Sequence, residues 1–140
     1  MPKGWVYAPH SGGRKPTPSA QERIHRRILA YANEHYAGTF NKIDVTFRAQ
    51  FCYVDAYIEP LVPDDFDEKL FGVIREEYVE RLRATPTHLC RLRYFGNEDS
   101  VSMAFYAYSS MKYEPCLFDN GSWTGTPEEA FEACAIYLRE

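Results

Sequence analysis

The sequence predicts an α+β fold: a mainly antiparallel four-stranded sheet with about three helices packed on one face, in the order α-β-α-β-β-β-α. Three observations predict it. Helical apolar spacing recurs behind N-terminal capping signals. Period-two alternation marks the strands. Three of those strands follow one another between residues 87 and 118 without intervening helices, which argues against a parallel βαβ arrangement.

Residues 1–18 contain Pro2, Pro9, Pro16 and Pro18 with Gly4, Gly12 and Gly13, a composition that excludes regular structure. They are expected to form a flexible basic arm ahead of a single α+β domain over 19–140. Ser19, with Glu22 three residues on, reads as a capping box. Ile24, Ile28, Tyr31, Ala32 and Tyr36 then form the inward arc of a helix, opposite Arg23, Arg26 and Arg27, and Gly38 is placed to end it.

KIDVTFRAQFCYVDAYIEP (42–60) alternates throughout. One long strand is expected, with Ile43, Val45, Phe47, Ala49, Phe51 and Tyr53 facing inward and Asp44, Thr46, Arg48 and Gln50 outward. The second helix spans PDDFDEKLFGVIREEYVERLRATP, where Leu70, Ile74, Tyr78 and Leu82 recur at i,i+4. Its acidic first turn (Asp64, Asp65, Asp67, Glu68) suits the helix dipole. THLCRLRYF, SVSMAFYAYS and KYEPCLF form a meander, and Pro115 marks the last as an edge strand. Asn120-Gly121 is a turn signal. Thr126-Pro127-Glu128-Glu129 opens a final helix that buries Phe131, Cys134 and Leu138.

Charge is divided along the chain. Residues 1–27 hold six Lys/Arg against Glu22 alone, whereas residues 28–140 hold ten Lys/Arg against nineteen Asp/Glu. A basic segment before an acidic body suits an arm that grips nucleic acid or folds back on the chain itself. No apolar stretch approaches the ~18 residues of a membrane span, so a cytoplasmic protein without a membrane partner is expected. Cys52, Cys90, Cys116 and Cys134 lack any C-x-x-C spacing and are expected as free thiols in the core.

Chemistry-bearing patterns are sparse, and no catalytic residue, cofactor or metal site is assigned. Ser109 and Lys112 match S-x-x-K, but they fall at a turn between strands rather than at a helix start. Asp55 and Glu59 on one strand would stand ~13 Å apart, too far for paired-carboxylate catalysis. His10, His25, His35 and His88 show no zinc spacing, and His25 and His35 fall toward the inward arc of the first helix. Asp55 stands out because alternation puts it on the apolar face between Tyr53 and Tyr57, unless a bulge after Cys52 or the end of the strand returns it to solvent. A carboxylate there needs a partner or an open cleft, which Asp55, Tyr57, Tyr106 and Tyr108 would rim. For binding, Trp5 and Tyr7 with Arg14, Lys15, Arg23, Arg26 and Arg27 are the candidates; Arg48, Arg91 and Arg93 would extend such a patch.

KGWVYAP (3–9), FRAQFCYVDAYIEP and RLRYFGNEDSVSMAFYAYSSMKYEP together resemble small bacterial proteins of unknown function. The resemblance implies a free-standing cytoplasmic bacterial domain and carries no activity. From the residues themselves, the expected function is a non-catalytic binding or adaptor domain. It would contact a protein partner or a second copy through an aromatic-rich surface and the arm. Nucleic-acid binding through the arginines is the alternative, and a small hydrolase or ligand cleft at Asp55 and Tyr57 the third reading.

Overall fold

The computed structural model describes residues 12–138. The order is α1 (Pro18–His35), β1 (Lys42–Arg48), β2 (Phe51–Tyr57), α2 (Glu68–Phe71), α3 (Arg75–Arg83), β3 (Thr87–Arg93), β4 (Ser102–Ala107), β5 (Lys112–Cys116) and α4 (Pro127–Cys134). A 3-10 turn, Ala135–Leu138, follows α4. The class is α+β, built on a five-stranded antiparallel meander in the order β1-β2-β3-β4-β5.

The fifth strand corrects the expected four. The run from 42 to 57 is a hairpin, not one strand, and turns at Ala49–Gln50, where Ala49 takes φ 54. Arg48 pairs with Phe51, so Phe47 faces the same way as Cys52, and Val45 the same way as Val54. This two-residue turn inverts the parity of everything after it. Cys52, Val54 and Ala56 enter the core, while Phe51, Tyr53, Asp55 and Tyr57 project from the other side.

Local signals set the helix ends. Thr17, not Ser19, caps α1: its hydroxyl accepts from the Ala20 N–H, and Pro18 occupies the first turn. A proline with fixed φ and no N–H suits that position, which moves the cap one step ahead of it. The helix closes at Tyr36, before Gly38. Ala20, Ile24, Ile28 and Ala32 form its buried stripe, and burying each isoleucine stabilises the fold by about 1.5–3 kcal/mol. His25 and His35, expected near that stripe, are exposed.

The single helix expected over 63–86 is two. Gly72, in the left-handed region at φ 69, ends α2, and α3 restarts after Ile74. Neither α2 nor α3 buries a residue, so among the described residues two helices, where about three were expected, supply buried side chains to the sheet. Those are α1, against β1, and α4, against β3 and α1. At α4 the capping box between Thr126 and Glu129 forms as read from the sequence.

The core lies between these helices and one sheet face, and includes Ile24, Ile28, Val54, Leu89, Leu92, Val101 and Phe131. Cys52, Cys90 and Cys134 are free and buried; Cys116 is free and half-buried. β5, carrying Pro115, is an edge strand. Among the described residues no helix is long and apolar enough to cross a membrane.

Arg27 ties α1 to α4. It binds both Glu128 carboxylate oxygens at 2.8 and 2.7 Å and donates to Asp99 at 2.7 Å. The Arg27 guanidinium holds the Glu128 carboxyl below the usual carboxylate range. A carboxyl whose folded pKa is depressed adds stability above its unfolded pKa, about 4.3, and loses it as pH falls through the folded value. Solvent still reaches the pair, at 26% and 30% side-chain exposure, so the expected contribution is about 1 kcal/mol. Glu128→Gln should therefore lower the melting temperature at pH 7, and the gap from the parent chain should close at the acid end of a calorimetric pH series.

Candidate functional site

The hairpin inversion leaves the sheet with two unlike faces. One meets the helices. The other, set by the strand registers, presents Asp44, Thr46 and Arg48 from β1, Phe51, Tyr53, Asp55 and Tyr57 from β2, His88, Arg91 and Arg93 from β3, Tyr106 from β4 and Tyr113 from β5.

A bulge positions the centre of this face. Val54 pairs with Cys90 but Asp55 pairs with His88, leaving Leu89 as the extra residue on β3. Leu89 and Cys90 both stay in the core, and the shift turns His88 out beside Asp55. His88 Nδ1 lies 2.9 Å from Asp55 Oδ1. With a carboxylate as acceptor, Nδ1 carries the hydrogen and donates it, which leaves Nε2 to act on whatever enters.

Rings enclose the pair. The His88 imidazole lies 4.7 Å from the Tyr106 ring and 6.3 Å from Tyr113. Tyr113 meets Tyr53 edge-on at 5.6 Å and Tyr106 at 5.0 Å. The Tyr108 hydroxyl accepts from the His88 N–H at 2.8 Å, and the Tyr137 hydroxyl donates to the Tyr106 carbonyl. Burial, with the Asp55 charge adding to it, pushes the Tyr113 phenol above its ordinary range, so it enters any interaction as a neutral hydroxyl.

Beside these groups the face opens into a cavity of about 300 Å³ lined by Thr46, Phe47, Arg48, Tyr53, Asp55, His88 and Tyr113. Arg48 leans toward the Tyr53 ring at 6.0 Å and forms no ion pair among the described residues. Arg91, expected from sequence to extend a binding patch, is 7% exposed and lies 4.2 Å over the Phe51 ring. Arg93 is 5% exposed and lies 5.3 Å from Phe95. Burial lowers the pKa of both arginines.

Of the expected cleft residues, Asp55, Tyr106 and Tyr108 come together around His88. Tyr57 does not: it stands a step further along β2, under the Lys42 ammonium at 5.5 Å. The expected basic face of α1 is tied up by acids. Arg23 binds both Glu98 oxygens, Arg27 is held by Glu128 and Asp99, and Arg26 lies 3.3 Å from Glu22. Arg14 and Lys15 are exposed, and the Arg14 N–H donates to the Tyr94 carbonyl. Trp5 and Tyr7 lie outside the described residues.

Elsewhere, Glu59 is taken by Arg83 and Asn41, which hold its carboxyl down at about 2. Ser109 and Lys112 sit at the β4–β5 turn and are exposed. Among the described residues no group of three His, Cys, Asp or Glu is arranged to hold a metal ion.

Sequence reasoning named Asp55 but missed His88, Tyr113 and Arg48 as its neighbours. The signal for Arg48 was its outward position; for His88 and Tyr113, cross-strand register supplies what local pattern lacks. Comparisons with protein-family models, curated proteins and solved structures find no match to this chain.

Proposed function

We propose that this protein is a non-catalytic binding domain, and that its aromatic open face takes a planar small molecule carrying a negative charge. One observation carries the reading: a single depression of about 300 Å³ joins Tyr53 and Tyr113, the Asp55–His88 pair and the side chain of Arg48. The rings offer apolar walls, His88 Nε2 offers a directional hydrogen bond, and Arg48 offers a charge to an anionic substituent. Ring packing and the Asp55 contact hold His88 in one orientation, so little side-chain entropy is lost on binding.

Nucleic acid through α1 is the weaker reading, because a phosphate would have to displace Glu98 or Glu128 from their arginines. The aromatic face does suit a base bearing a phosphate, so adenosine 5′-monophosphate belongs among the probes.

Calorimetry with phenyl phosphate and adenosine 5′-monophosphate, against phenol and adenosine as neutral controls, tests the proposal. Each anion should bind about tenfold tighter than its neutral counterpart, and Arg48→Gln should remove that advantage. Asp55→Ala should weaken all four, because His88 loses the acceptor that orients it. Equal affinity of anion and neutral form, or indifference to both substitutions, would contradict the proposal. A single-stranded oligonucleotide that binds far tighter than the monophosphate, with a steep salt dependence, would favour the nucleic-acid reading instead.

A further inference from the structure

A second surface lies apart from the cleft, on the segment between β2 and β3. It gathers four of the most exposed large apolar side chains: Leu61, Leu70, Phe71 and Ile74, at 92, 75, 57 and 50%. Single exposed leucines need no explanation, but four large apolar side chains exposed within fourteen residues of one segment do. The segment is held in shape without burying them. Phe66 stacks on Phe71 at 5.0 Å and on Tyr78 at 4.7 Å. The Arg75 guanidinium donates to the Val62 and Pro63 carbonyls, and its N–H to Glu68.

Acids edge the segment. Ile74 opens onto a depression of about 550 Å³ lined also by Glu76, Glu77, Glu80 and Arg81. Residues 60–84 hold seven Asp/Glu against four Lys/Arg. Two of those four, Arg75 and Arg83, are already engaged: Arg75 with backbone carbonyls and, at 3.8 Å, with Asp64, and Arg83 with Glu59 and Glu80. Glu76 and Glu77 are exposed and form no ion pair among the described residues, so the mouth of this depression is negative beside the exposed Ile74.

We propose that the α2–α3 surface docks a basic segment of a partner protein with large apolar anchors. The anchors would lie against Leu70, Phe71 and Ile74, with Lys or Arg heads over Glu76 and Glu77. Charge complementarity selects this occupant, and the shape is set before binding. The inference stands independently of the cleft.

Fluorescence anisotropy on the full chain tests it with three labelled fourteen-residue probes. These are an amphipathic lysine–leucine peptide, its glutamate–leucine counterpart and a lysine–serine peptide of equal charge. The lysine–leucine peptide alone should bind. Leu70→Ser with Ile74→Ser, or Glu76→Gln with Glu77→Gln, should each weaken it at least about tenfold. All four positions are exposed, so the fold survives the changes and circular dichroism verifies it. Equal binding of the lysine–serine peptide, affinity unchanged in both double variants, or no binding would overturn the proposal. So would concentration-dependent self-association, in place of peptide binding, that Leu70→Ser with Ile74→Ser abolishes: a second copy would then be the occupant.

Discussion

Val54→Asp should prevent folding, whereas Tyr53→Asn, one residue earlier, should leave the far-ultraviolet spectrum unchanged. Val54 is 1% exposed and faces Val45 across the hairpin, inside the core cluster. A carboxylate there finds no paired cation, and burying it costs about 4 kcal/mol or more, comparable with the whole stability of a small domain. Tyr53 projects from the opposite face, where its ring meets Phe51 and Tyr113 beside solvent. A continuous strand from 42 to 57 would require the reverse outcome, with Tyr53 inside and Val54 out. The two variants together decide which face of β2 is the core face, and so whether Asp55 belongs to the cleft.

Phe131→Ala is expected to cost about 3–5 kcal/mol in urea unfolding, the range for a buried aromatic truncated to methyl. Phe131 is 1% exposed. It meets Tyr31 edge-on at 6.1 Å and Tyr36 at 5.8 Å, so its removal leaves a void where α1 and α4 join. The Tyr31 hydroxyl, which donates to Glu132 at 2.6 Å, fixes that ring and limits how far the gap can collapse. A loss below about 1 kcal/mol would mean that α1 and α4 are not packed through this ring.

Local chemistry was legible in the sequence; long-range register was not. The α4 start reads off Thr126-Pro127-Glu128-Glu129 because its cap, proline and glutamate act within one turn. The buried stripe of α1 reads off its spacing for the same reason. Ala49–Gln50 hid the hairpin because neither residue carries the Asn-Gly or Asp-Gly signature that announces a tight turn. Alternation therefore ran through the turn unbroken, and the faces assigned after it were reversed. Gly72 was the visible break in the second helix, but the helical spacing on both sides of it concealed the division. At the site, Asp55 kept its neighbours Tyr53 and Tyr57 along the strand and exchanged the core for the open face. Its partner His88 depends on the Leu89 bulge, and a bulge is a property of two paired strands. The arginines of α1 were readable as one face, yet Glu98, Asp99 and Glu128, which hold two of them, lie more than 70 residues away in sequence.

The binding account is tested most directly by a two-dimensional ¹H–¹⁵N titration of the full chain with phenyl phosphate, with phenol as the neutral control. It predicts shift changes confined to the strands around Thr46, Arg48, Tyr53, Asp55, His88 and Tyr113, with phenyl phosphate saturating at about a tenth of the phenol concentration. Changes centred instead on Arg23 and Arg27, or equal saturation by the two compounds, would contradict it.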